Sequence, residues 1–434
     1  MRRTSLALAT LAVCTMLSPA AQAGEVSLQA EVDALRAEIT ALKDEVRQMH
    51  NAPVPAPAAS SNPAVVNTAA APPVAAVAEN AGTTLWGYGQ IDYNRPTAHA
   101  ADAQADLTRA VIGFNHAFDD STRVYGELEW EHAVTSATDQ GESEVEQLYI
   151  EHALGSNYGV RAGLMLVPLG LLNEHHEPTQ FYGVERNFVE TAIIPSTWRE
   201  GGVAGYGSTD SGVSWNVGIG TGPDLSNWDA TSADGRKSPL GSIHQELQLA
   251  KAHDPSIYGA ANWQGIPGLT VGGGVFTGNI GQGTPEFAAG NARLLLGEAH
   301  VRWQPGPFDF AALYTRGSIS NTQALNASFA GEPTPVPKFF WGGYAQGAWR
   351  ALEWKQSSLA PFLRYEMFNT GATYAAQSQA TGAPPLPTER VWTLGANYYL
   401  NPNVVFKIDY QNFNRDDLAL GYGDRLDLGI GYQF

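Results

Sequence analysis

The chain of 434 residues contains a single cysteine, Cys14. It lies in a segment that reads as a removable leader, so the mature chain is expected to have no disulfide, although its compartment would permit one. No apolar run approaches 18 residues, which excludes helical membrane spans. Lysine occurs only at Lys43, Lys237, Lys251, Lys338, Lys355 and Lys407, and charged residues of all kinds make up 16%. Net charge is −18, and loss of Arg2 and Arg3 with the leader makes it −20. That balance argues against nucleic acid as a partner. Glycine and aromatics are abundant, with 46 Gly, 11 Trp, 17 Tyr and 16 Phe. Rich aromatics, modest hydropathy and few charges suit a β-barrel whose two faces alternate in polarity.

The leader spans residues 1–23. Arg2 and Arg3 form a positive start, Leu6 to Leu17 a short apolar stretch, and Ala21-Gln22-Ala23 a small-residue cleavage site. A rival lipoprotein signal at Leu11-Ala12-Val13-Cys14 places bulky Val13 where a small residue is expected. Residues 24–50 follow an a/d heptad: Leu28, Val32, Leu35, Ile39, Leu42, Val46 and Met49. About three heptads is short for an independent helix, so it needs partners, most simply copies of itself. Branched residues at a with Leu at d favour dimers in isolation, while a tethered domain can impose another number. Residues 51–83, rich in Ala and Pro, read as an extended linker.

From Thr84 to Phe434 the pattern becomes short alternating runs, sixteen in all. The last, Arg425 to Phe434, puts Leu426, Leu428, Ile430, Tyr432 and Phe434 on one face and Arg425, Asp427, Gly429, Gly431 and Gln433 on the other. A soluble protein seldom ends on so apolar an edge, whereas a closed barrel has none. Tight connections such as Asp119-Asp120 and Asn401-Pro402-Asn403 alternate with long ones, the longest near 167–200 and 222–254. The fold class expected is all-β: a 16-stranded antiparallel transmembrane barrel in the outer membrane, with its outward face against lipid and its ends and coiled coil on the periplasmic side.

Parity then assigns the lumen. It places Arg109, Glu127, Glu129, Arg161, Arg302, Arg364 and Lys407 inward. A wall carrying both signs holds water and a transverse field, and sixteen strands enclose more space than their own side chains fill. The segment Val167 to Gly202 is expected to fold inward and narrow the pore. Its Arg186 and Arg199 are candidate contacts for carboxylate or phosphate, with Glu190 among the acids that screen them. His175, His176 and Glu177 do not have the spacing of a zinc-enzyme helix, so no metal or other cofactor is expected. No Ser/His or Asp/His pattern marks a hydrolase, and the chain is read as a non-enzyme. An outer-membrane barrel enzyme or adhesin is the alternative.

Two segments, Arg161-Ala-Gly-Leu-Met-Leu-Val-Pro-Leu-Gly-Leu-Leu-Asn173 and Ile193-Ile-Pro-Ser-Thr-Trp-Arg-Glu-Gly-Gly202, together with the strand ending in Phe434, resemble the phosphate-selective porin O/P family over roughly residues 84–434. The resemblance implies a homotrimer of 16-stranded barrels with an inward third loop, passing small hydrophilic solutes. The coiled coil resembles that of trimeric dicarboxylate-uptake porins and also implies three copies. The family's phosphate-selective members carry a ladder of lumenal lysines, whereas here only Lys407 has lumenal parity, leaving Arg109, Arg161, Arg302 and Arg364 as an arginine track opposed by Glu127, Glu129 and Glu131.

Overall fold

A computed structural model describes residues 82–375, 384–414 and 423–434. The leader, the heptad segment and nearly all of the linker lie outside the described residues. The strands are β1 (Thr83–Pro96), β2 (Gln104–Ala117), β3 (Thr122–Trp130), β4 (Ser143–Ala153), β5 (Tyr158–Leu166), β6 (Arg199–Ser208), β7 (Val213–Gly220) and β8 (Ser256–Ile266). They continue with β9 (Leu269–Asn279), β10 (Arg293–Trp303), β11 (Phe308–Ser320), β12 (Pro337–Trp349), β13 (Ser357–Tyr374), β14 (Glu389–Asn401), β15 (Val404–Phe413) and β16 (Arg425–Gln433). A three-residue piece, Leu352–Trp354, prolongs β12 past a break and pairs with the same neighbour, β13. Each strand pairs antiparallel with the next, and β1 pairs with β16 from Tyr88↔Gln433 to Pro96↔Arg425, closing a 16-stranded barrel. The longest strand is β13, which runs 18 residues from Ser357 to Tyr374.

The alternation of faces is as parity requires. Leu128, Val160, Val217, Leu363, Leu394 and Ile430 are exposed on the outside, while Glu127, Glu129, Arg364, Asp409 and Asp427 are buried within. Tyr158, Trp215, Trp263, Trp303, Trp349 and Phe406 are exposed near the short-turn end, where an aromatic girdle belongs. So continuous an apolar outer band is suited to hydrocarbon and not to water.

The interior is fuller than the sequence reading anticipates. One side of the lumen is a packed apolar core. Inward Phe276, Leu294, Leu296, Leu313, Phe340 and Phe368 of β9–β13 meet Val189, Ile193 and Trp198 of the loop 167–198, and Leu225, Trp228, Leu240 and Ile243 of the loop 221–255. Ala289 of the loop 280–292 and Leu325 and Val336 of the loop 321–336 join the same core, so several long loops enter or cap the barrel, where one was expected. Leu294-Leu295-Leu296 is apolar on both faces because Leu294 and Leu296 pack into this core while Leu295 points outward.

The last strand supplies the seat for the inward loop. A Cβ at Gly431 would lie 2.5 Å from Pro178, and one at Gly429 would lie 3.1 Å from Val184. Side chains at either position would push the loop off the wall. On the outer side, Leu394→Arg near mid-strand is expected to cost about 2–4 kcal/mol, the depth-dependent penalty for a cation in hydrocarbon. Equilibrium denaturant unfolding of the lipid-reconstituted protein measures this; an unchanged midpoint would place Leu394 away from the hydrocarbon.

Candidate functional site

The loop 167–198 leaves the wall at Leu166, crosses the lumen and returns at Arg199. Its fold rests on one carboxylate. Glu190 Oε1 accepts from the backbone N–H groups of Leu171 and Leu172, and Oε2 accepts from Asn187 Nδ2 and the Tyr344 hydroxyl of β12, both at 2.8 Å. Further along, the Val184 N–H donates to Asp409 Oδ2 (2.6 Å), the Phe188 N–H donates to Glu366 Oε2 (2.7 Å) and Gln90 Nε2 donates to the Val184 carbonyl (3.0 Å). Phe188 stacks on Phe368 at 5.6 Å. These contacts hold the loop to β1, β12, β13 and β15, so the loop is built into the barrel.

The inward charges sort into two groups. Most are spent on neighbours. Arg161 Nε donates to Glu151 (2.8 Å), its direct cross-strand partner. Arg302 makes two hydrogen bonds to Asp309 (3.0 and 2.6 Å). Arg364 bonds Glu366 (2.8 Å) and the Tyr182 carbonyl (3.0 Å). Arg199 meets Glu144 and lies 3.0 Å from Glu246 of the loop 221–255. The Lys407 ammonium sits 3.5 Å from the centre of the Phe181 ring. Arg109 faces Glu129 at 3.8 Å. Glu127 accepts from Gln147 Nε2 (2.5 Å) and from the Tyr88 hydroxyl (3.0 Å).

Arg186 differs. It bonds the Ser196 hydroxyl, but its Nε and Nη2 make no hydrogen bond and no carboxylate lies within 4.0 Å among the described residues. Only 7% of it is exposed. Burial, then the like charge of Arg109, pulls its pKa down to about 10. Both arginines line a cavity of about 1080 Å³ at the long-loop end, together with Asn94, Gln104, Asp106 and Arg425. Arg186, a buried guanidinium without a carboxylate partner beside the Arg109–Glu129 pair, is a site whose electrostatic cost an anion relieves.

Below them His176 reaches the wall. Its Nδ1 lies 2.9 Å from the Asn173 carbonyl, and its Nε2 lies 2.8 Å from the Tyr88 hydroxyl, 3.1 Å from Glu146 Oε1 and 3.9 Å from Glu127 Oε1. Burial opposes charge on this ring, but the adjacent carboxylates, Glu146 foremost, outweigh it and hold the pKa above the ordinary imidazole value.

No family model matches the chain. An uncharacterised protein of Aquifex aeolicus (strain VF5) is 27% identical over 358 residues, covering 80% of this chain and 78% of that protein. Among solved structures, OmpF of Salmonella typhi in complex with daunomycin superposes with a TM-score of 0.56 at 15% identity, over 81% of this chain and 97% of that one. The outer membrane channel DcaP of Acinetobacter baumannii gives 0.52 at 14% identity, over 81% and 97%. At these identities the likeness is one of fold.

Sequence parity finds Glu127, Glu129 and Arg109 but misses Glu146 and Tyr88. Glu146 lies at a bulge: Glu127 pairs with Gln147 and Leu128 with Val145, so Glu146 and Gln147 both turn inward. The trace in the sequence is the spacing of outward residues, Val145 to Leu148 and then Ile150, three followed by two. Removing the central carboxylate of the loop, Glu190→Ala, strands four donors at about 1–3 kcal/mol for each left unpaired. The expected result is faster proteolysis within 167–198 on a barrel that stays folded; unchanged cleavage would deny Glu190 this role.

Proposed function

We propose that this protein is a passive outer-membrane porin for small hydrophilic solutes, with a preference for anions such as carboxylates or phosphate. The observation that carries the reading is Arg186: a buried guanidinium, short of partners, facing a cavity at the long-loop end beside Arg109. A planar, fixed donor set of this kind matches a carboxylate or phosphate edge. The export leader, the apolar outer band, the loop held across the lumen and the fold shared with an outer membrane channel support the setting. Transport of this kind is diffusion through a field and needs neither covalent chemistry nor a cofactor.

Arg161, Arg302 and Arg364 serve chiefly as wall structure in this reading, because each is matched by a carboxylate on its own or an adjacent strand. Selectivity then rests on Arg186 and Arg109, with Glu185 and Arg425 beside them at the cavity. A phosphate preference on the pattern of the porin O/P resemblance would have to come from these guanidiniums, because the lysine ladder is missing.

Reconstitution in a planar bilayer tests this directly. Ohmic steps are expected, with a reversal potential in asymmetric KCl of the sign that favours chloride. Arg186→Glu should lower the anion-to-cation ratio by about tenfold, the equivalent of about 1.4 kcal/mol. Absence of steps would overturn the porin reading, and a cation-selective wild type would overturn the anion preference alone.

The heptad segment supports assembly as a homo-oligomer, and its resemblance to the coiled coil of trimeric porins favours three copies over the dimer its own pattern prefers. Deleting residues 24–50 is expected to weaken a heat-sensitive oligomer on gels, and an oligomer of unchanged stability would deny the segment that role.

A further inference from the structure

We infer that His176, Glu127, Glu146 and Tyr88 form a binding site for one divalent transition-metal ion of the zinc class, which clamps the inward loop to the barrel wall. The inference is independent of transport and stands whether or not the barrel conducts.

The donor set is the first argument. One imidazole and two carboxylates offer ligand atoms that all lie within 4.8 Å of one another. The three residues come from the loop, from β3 and from β4, and each is nearly or fully buried. Tyr88 of β1 adds an oxygen 2.8 Å from His176 Nε2, 3.0 Å from Glu127 Oε1 and 3.4 Å from Glu146 Oε2. With Nε2 at 3.1 Å from Glu146 Oε1 and 3.9 Å from Glu127 Oε1, the separations surround the edge of about 3.3 Å of a tetrahedron whose metal–ligand bonds are about 2.0–2.1 Å. Of these separations the largest closure, Nε2 to Glu127 Oε1, is about 0.6 Å from that edge.

The second argument is how the donors are held. His176 Nδ1 is engaged by the Asn173 carbonyl at 2.9 Å. That contact fixes the tautomer that leaves Nε2 free as a ligand, the usual outer-shell arrangement of a metal-bound imidazole. Asn173 is itself fixed, donating to the carbonyls of Val167 (2.7 Å) and Trp198 (2.9 Å) and accepting from the Trp198 N–H (2.8 Å). Gln147 occupies Glu127 Oε2, which turns Oε1 toward the site. Glu146 Oε1 is buried and has His176 Nε2 as its partner at 3.1 Å, on the side where an ion would sit.

The third argument is the bulge. It interrupts the β3–β4 ladder at the position that aims Glu146 and Gln147 inward together. Irregularities of this kind re-aim side chains at functional positions, and here the gain is one ligand and one residue that orients another. Nearby Arg109 lies 3.8 Å from Glu129, which offsets part of its charge beside the two carboxylates. The rival occupant is a proton on Nε2.

The test uses the full-length, untagged, folded protein in detergent, stripped with a chelator, dialysed and given equimolar ZnCl₂. One tightly held zinc per chain is expected by elemental analysis. Glu146→Gln and Glu127→Gln should each weaken it at least tenfold, while His175→Ala, next in sequence but outside the donor set, should leave it unchanged. Should the glutamine variants fail to fold, anomalous scattering at the zinc edge from wild-type crystals provides the second readout, with the peak expected between Nε2 and the two carboxylates. Failure to retain zinc at equimolar concentration, or a peak elsewhere, overturns the inference and leaves a protonated His176 between its carboxylates.

Discussion

The barrel depends on the seam where Thr83–Pro96 pairs with Arg425–Gln433. A strand in hydrocarbon has no water to satisfy its N–H and C=O groups, so the sheet must find every partner within itself. With β1 against β16 the ladder has no open edge. The inward face of β16 matters as much as its hydrogen bonds. Gly429 and Gly431 leave the room into which Val184 and Pro178 of the loop settle. Closure of the wall and placement of the loop are thus parts of one arrangement.

Inside that wall the lumen is divided. Along β9–β13 an apolar core built from long loops and inward strand faces lies beside buried charges at Glu298, Asp309, Arg364 and Glu366. Along β1–β5 and β15–β16 it is a lattice of buried charges, most of them matched across a strand or two. The loop 167–198 runs between these regions and carries both chemistries: Val189, Ile193 and Trp198 for the core, and His176, Arg186 and Glu190 for the polar side. Glu190 holds these pieces in register because it accepts from the start of the loop, from Asn187 in its own turn and from the wall.

Much of the architecture is legible in the sequence because a strand has a period of two and a barrel has two solvents. Leu128 beside Glu127, or Ile430 beside Gly429, declares its face at once. The alternating long and short connections give the up-and-down order. What parity does not give is height along the strand, and pairing depends on height. Arg161 reads as a free lumenal cation until the register sets it opposite Glu151. Arg302 likewise reads as free until the turn brings Asp309 to it. The bulge at Glu146 breaks parity itself and hides a buried acid in a stretch that still looks regular. The inward course of the loop 221–255 is written only indirectly, in inward leucines at 294 and 296 that need an apolar partner.

The seat in the last strand also bears on assembly order. The loop touches both sides of the seam: Val184 accepts from Gln90 of β1, and Thr179 donates to Gln433 of β16 at 2.6 Å. A loop gripped by the first and last strands cannot be threaded into a finished cylinder without breaking those contacts. The inward seat of the loop and the closure of the wall therefore share contacts, and the lumen has its final shape only with both terminal strands in place.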